Sequence, residues 1–203
     1  DGVYVAGHPE WLAVDTIMTD PVVAQASATQ MAGVLHPRKV TRTLHLLIHV
    51  GNIGNLLAAR GALSGLAAGH RLAADCPNDN SVTVTHLIES NSWTCQRTSP
   101  EMGTVEADIN CFGLPANHQG TPGENCLTFQ ALLADGKTVR SYRIPVGHLI
   151  REIVSSSGHS AGSSELFLEL KLDPPLPPCS GGEGGIDVWF NDWDENLDYN
   201  VIL

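Results

Sequence analysis

VTRTLHLLIHV, residues 40 to 50, places Val40, Leu44, Leu46, Ile48 and Val50 on one parity and Thr41, Thr43, His45 and His49 on the other. Side chains on a strand point alternately to opposite faces, so this stretch reads as a strand with one apolar and one wet face. The same period recurs along the chain. Val82, Val84 and Ile88 alternate with Thr83 and Thr85, and Val105, Ala107, Ile109 and Cys111 with Thr104, Glu106, Asp108 and Asn110. Leu127, Phe129, Ala131 and Leu133 continue it, and Asp135-Gly136 behind them predicts a hairpin into Thr138 to Ile144.

Further on, Leu166, Leu168, Leu170 and Leu172 face inward against Phe167, Glu169, Lys171 and Asp173. Ile186, Val188 and Phe190, then Leu197, Tyr199, Val201 and Leu203, close the chain in the same manner. About eight short strands result, which selects an all-β, antiparallel sandwich or barrel. Two stretches read as short helices: Asn55 to Leu66, rich in Ala and Leu, and His148 to Val154, with apolar residues at helical spacing. Residues 1–38, broken by Pro9, Pro21 and Pro37, read as a linker and the end of a preceding domain, and residues 39–203 as the β domain. Pro174, Pro175, Pro177 and Pro178 before Ser180-Gly181-Gly182 predict a stiff and then flexible connector.

Composition narrows the function. The 203 residues, 42% hydrophobic, suit one folded domain rather than a disordered chain. A net charge of -11 with only 11 Lys+Arg leaves little from which to build a phosphate-binding face, so nucleic acid is set aside. No apolar run approaches the ~18 residues of a membrane span. The chain starts at Asp1 with neither an initiator Met nor a leader, the expectation for a processed or excised product. Five cysteines (Cys76, Cys95, Cys111, Cys126, Cys179) form no C-x-x-C pair and read first as buried free thiols.

Motifs that suggest chemistry fail on context. Gly158-His159-Ser160-Ala161-Gly162 fits G-x-S-x-G, but serines flank it where a buried strand and a helix should, and no histidine follows Ser160. His45 and His49 share a strand face, which leaves a metal site open, although Leu46 stands where a zincin has glutamate. Asp192, Asp194, Asn196 and Asp198 begin like a calcium loop, but Leu197 and Leu203 replace its glycine and bidentate glutamate. Gly51-Asn52-Ile53-Gly54-Asn55 lacks the Lys-Ser/Thr of a phosphate loop and reads as a helix-start turn. These readings assign no catalytic, cofactor-binding or metal residue, and no cofactor.

Order of motifs adds a resemblance. ALSGLAAG (62–69), CFGLP (111–115), NCLTFQALLADGKTVRSYRIPVGHL (125–149) and LPP followed by GGIDVWFNDWDE (184–195) run in the sequence seen in one family. Over about Val40 to Leu203 the chain resembles the fimbrillin-like surface proteins of Bacteroidetes, in the minor-subunit and anchor branch of type V pili. Leu63-Ser64-Gly65-Leu66-Ala67, where the family has a strand leading to a short helix, Phe112-Gly113, which there ends a strand, Asn125-x-Leu127-Thr128, Asp135-Gly136-Lys137 and Asp192-Trp193 carry the likeness, and Pro9-Glu10-Trp11-Leu12 looks like the family's interdomain region. Pro145-Val146-Gly147 departs from the family's Asp-Val-Thr, and five cysteines exceed its pattern.

The resemblance implies a transthyretin-like β-sandwich, exported as a lipoprotein, with its lipid anchor upstream of Asp1, and displayed on the outer membrane or fimbria. It also implies partners: other pilus subunits joined by β-strand addition, and a host or bacterial surface ligand. No chemistry is then needed. The rival readings are a surface glycan-binding module, with Trp93 or Trp189 as a stacking platform, and a serine hydrolase using Ser160.

Overall fold

The computed structural model describes residues 3–5, 9–10, 12–15, 36–78, 83–115, 125–150 and 165–178. Thirteen strands are present among them. They are β1 (Val3–Val5), β2 (Ala13–Val14), β3 (Arg38–Lys39), β4 (Arg42–Gly51), β5 (Leu56–Ala67), β6 (His70–Arg71) and β7 (Cys76–Pro77). Beyond these come β8 (Thr83–Ile88), β9 (Thr94–Arg97), β10 (Met102–Cys111), β11 (Cys126–Leu133), β12 (Val139–Pro145) and β13 (Glu165–Lys171). One sheet has the order β1-β8-β5-β11-β12 and the other β13-β4-β10-β9, while β2-β3 and β6-β7 form two small ribbons. Pairing is antiparallel except for β13 on β4 and β1 on β8, which are parallel.

The alternation at Val40 to Val50 decides the packing as the sequence predicts from Thr43 onward, but Thr41, expected on the wet face, is buried, its hydroxyl accepting from the Leu12 N–H. Leu44, Leu46, Ile48 and Val50 are buried while Thr43, His45 and His49 are not. Their inward face joins Val105, Ala107, Ile109 and Cys111 of β10 and Leu166, Leu168 and Leu170 of β13. The same cluster takes in Leu63, Leu66, Val84, Ile88, Leu127, Phe129, Ala131 and Leu133 from the other sheet, so two sheets share one core. Each fully buried Leu, Ile or Phe adds ~1.5–3 kcal/mol of transfer free energy. The all-β fold class follows from these two sheets.

Residues 55–66 are not a helix. Leu56–Ala67 is β5, a central strand between β8 and β11. Its Ala and Leu content favours a helix locally, but both of its edges are hydrogen-bonded and both of its faces are largely buried, so no alternation marks it. Gly61 is required for close packing there, because a Cβ would lie 2.8 Å from Cζ2 of Trp93 and 3.0 Å from the Thr128 carbonyl. Residues 147–150 are helical, as expected for the start of the second short helix. The rest of it, residues 151–154, lies outside the described residues.

The predicted hairpin joins β11 to β12 in antiparallel register. Gly136 adopts φ 66°, and the Asp135 carboxylate accepts hydrogen bonds from the backbone N–H groups of Lys137 and Thr138. The proline stretch after β13 docks on the end of β4. Leu176 is fully buried, its N–H donates to the Gly51 carbonyl, and the Asn52 side chain donates to the Leu176 carbonyl. At the other end Val3–Val5 pairs with β8, which places these residues in the five-stranded sheet.

Candidate functional site

The two sheets differ on their outer faces. Arg60, Ala62, Leu87, Gln130 and Leu132, which point away from the shared core of the five-stranded sheet, are buried as well. Arg60 there donates from Nε to Gln130 at 2.6 Å. By contrast, the outward residues of the four-stranded sheet are half-buried or exposed, and it is this face that can meet a ligand.

Register brings its side chains into rows. Phe167 of β13 lies beside His45 of β4, which lies beside Asp108 of β10. In the neighbouring rows are Glu165, Thr43 and Asn110 on one side, and Glu169, Leu47 and Glu106 on the other, followed by Lys171, His49 and Thr104. The His45 ring stacks on Phe167 with centroids 4.6 Å apart and planes 18° from parallel, while its Nδ1 sits 2.7 Å from Asp108. His49 Nε2 is 2.7 Å from Glu169. An ionised carboxylate only accepts, so each ring nitrogen donates. Phe167 remains 66% exposed, more than the other exposed large hydrophobic side chains among the described residues.

The candidate metal pair is therefore divided. His45 turns to Asp108 on one neighbouring strand and His49 to Glu169 on the other. Among the described residues no three His, Cys, Asp or Glu side chains gather as a metal site. The Gly51–Asn55 turn leads into a 3-10 segment, Ile53–Asn55, and then a strand, not into a helix. Its amides are engaged: Asn52 donates to Glu101 and Gly54 to Pro100. A phosphate has no cradle there.

Trp93 is not a stacking platform. It is half-buried, packs against the core and meets Phe129 edge to face at 5.4 Å. Cys76, Cys95, Cys111 and Cys126 are free thiols, and burial pushes the Cys111 thiol above its ordinary range. Only Cys111 and Cys126 are buried; Cys95 is exposed. Ser160 and His159, the Asp192 to Asp198 stretch, Trp189 and Cys179 lie outside the described residues.

Motifs behind the resemblance occupy structural nodes. Leu63 to Ala67 lies within strand β5 and not in the short helix that the resemblance implies; the pairing of β5 with β8 shifts register between Leu63 and Leu66, where Gly65 has φ 77°. The Asn125 side chain donates to the Ser64 and Gly65 carbonyls, and the Cys126 N–H to the Ser64 hydroxyl. Gly113, with φ 87°, lies just past the end of β10 and accepts from the Ala67 N–H.

No family model and no curated protein matches the chain. Among solved structures, a crystal structure from Bacteroides ovatus described as "a putative adhesin" is similar at 12% identity with a TM-score of 0.45. The likeness covers 87% of this chain and 62% of that one, so the chain spans about three fifths of that protein's length.

Proposed function

We propose that this chain is a cell-surface protein without chemistry of its own, a minor subunit or anchor of a fimbria that acts in fimbrial assembly and adhesion. The observation that carries the reading is where the motifs of the resemblance fall. Leu63 to Ala67 forms the bulge of β5, Asn125 holds that bulge, Phe112-Gly113 closes β10, and Asp135-Gly136-Lys137 turns β11 into β12. They sit on an all-β frame of two sheets sharing one core, the architecture that the resemblance implies.

In this reading the partners are other pilus subunits, joined by strand addition at a sheet edge, where backbone hydrogen bonds supply affinity and alternate side chains supply register. The membrane is reached through a lipid anchor upstream of Asp1, and the protein stands on the outer membrane or in the fimbria.

Shearing the surface fraction of the native host and immunoblotting it after mild and full heating in SDS tests this. A ladder that collapses to monomer only on boiling is the expected result for strand-exchanged subunits, and a single band retained in the outer membrane is expected for an anchor. Normal pili and adhesion in a strain lacking the protein would sink the proposal.

A further inference from the structure

We propose that the open ring face of Phe167 is a docking point for an arginine side chain of a protein partner. One face of the ring is closed by His45 of the neighbouring strand, stacked at 4.6 Å, which restricts the rotation of the phenyl group. Phe167 as a whole is 66% exposed, so the ring face away from His45 meets solvent. Leaving so large an apolar surface in water gains the fold nothing, whereas a flat, fixed ring is what a guanidinium stacks on.

Charge selects the occupant. Glu165 and Glu169 flank Phe167 on the same face of β13, each two residues away or about 6.6 Å along the strand. Asp108 lies beyond His45, and Glu106 stands in the next row opposite Leu47. Against these four carboxylates the face carries the ammonium of Lys171, in the row of His49, and that of Lys39, which donates to Thr43. A carboxylate accepts several hydrogen bonds, so a guanidinium on the ring can direct an edge N–H at Glu169, which also accepts from His49, while its plane covers the phenyl face. The net charge of -11 steers a cation toward this surface over a longer range. It opposes the other occupants: a second copy would bring the same acidic face, and an anionic lipid or nucleic acid would be repelled. This inference goes beyond the fimbrial reading and does not require it.

The test uses the full chain, isotope-labelled, titrated with a blocked hexapeptide of alternating Arg and Gly, and with the same peptide carrying citrulline, the uncharged isostere, for arginine. The expected result is chemical-shift change centred on the Phe167 and His45 rings, weakened by salt and absent with citrulline. Phe167→Leu keeps the apolar bulk and removes the ring, and should raise Kd about two- to fivefold, the range of an exposed cation–π contact. Glu169→Gln should weaken binding and flatten its salt dependence. Shifts elsewhere, equal binding of the citrulline peptide, wild-type affinity in Phe167→Leu, or a neutral oligosaccharide binding the same ring without salt dependence would each overturn the proposal.

Discussion

Asp135 shows how one side chain fixes a turn. Its carboxyl is held down to about 2 from 3.8, first by the hydrogen bond from the Thr138 hydroxyl and then by the backbone N–H groups of Thr138 and Lys137. The folded value lies below the unfolded one. The associated stability is therefore present above about pH 4 and is lost as pH falls toward 2. Asp135→Asn keeps an acceptor but removes the charge, so the variant should be less stable than wild type at pH 5, and most of that gap should be gone at pH 2. Urea denaturation midpoints at the two pH values check this, and a gap of constant size would show that the carboxylate charge has no part in the turn. The turn was legible because Asp-Gly after an alternating run has a specific mechanism. Asn125 was legible only as part of a motif, since the carbonyls it satisfies, Ser64 and Gly65, lie about sixty residues earlier.

At the scale of elements, legibility followed exposure. Strands β4, β10 and β13 have one wet face and announced themselves by alternation, whereas β5, buried on both faces, was misread as a helix because its Ala and Leu residues favour one locally. What the local sequence did not reveal is that Gly61 is small because Trp93 and the Thr128 backbone leave no room. Gly61→Ala should cost on the order of 1–3 kcal/mol, the usual penalty for overpacking. Gly69→Ala, where nothing lies within 4 Å of the new Cβ, supplies the control and should stay within about 0.5 kcal/mol of wild type. Equal denaturation midpoints for the two variants would contradict the packing assigned to β5. The outer face was half legible in the same sense. Phe167 and Glu169 read as outward residues of one strand, and His45 and His49 of another, but period two assigns a face and not a neighbour. Their stacking and pairing depend on the parallel register of β13 on β4.

For the molecule as a whole, the question is which parts of the two sheets hold the fold and which remain available to a partner. The shared core is concentrated in β4 and β10 on one side and β5 and β11 on the other, each paired on both edges and carrying fully buried side chains such as Ile48, Val105, Leu63 and Phe129. Among the described residues strands β9 and β12 are edges, and most of their residues are exposed. Local opening exposes amides at a free energy set by the contacts broken, so the four central strands should exchange only with global unfolding and the two edges much sooner. Native-state hydrogen exchange followed by mass spectrometry measures this directly. Protection of β12 equal to that of β11, its neighbour in the same hairpin, would mean that this edge is covered and unavailable for strand addition. Fast exchange at β12 beside a slow β11 leaves a row of backbone donors and acceptors accessible, which is the physical requirement of the assembly proposed above.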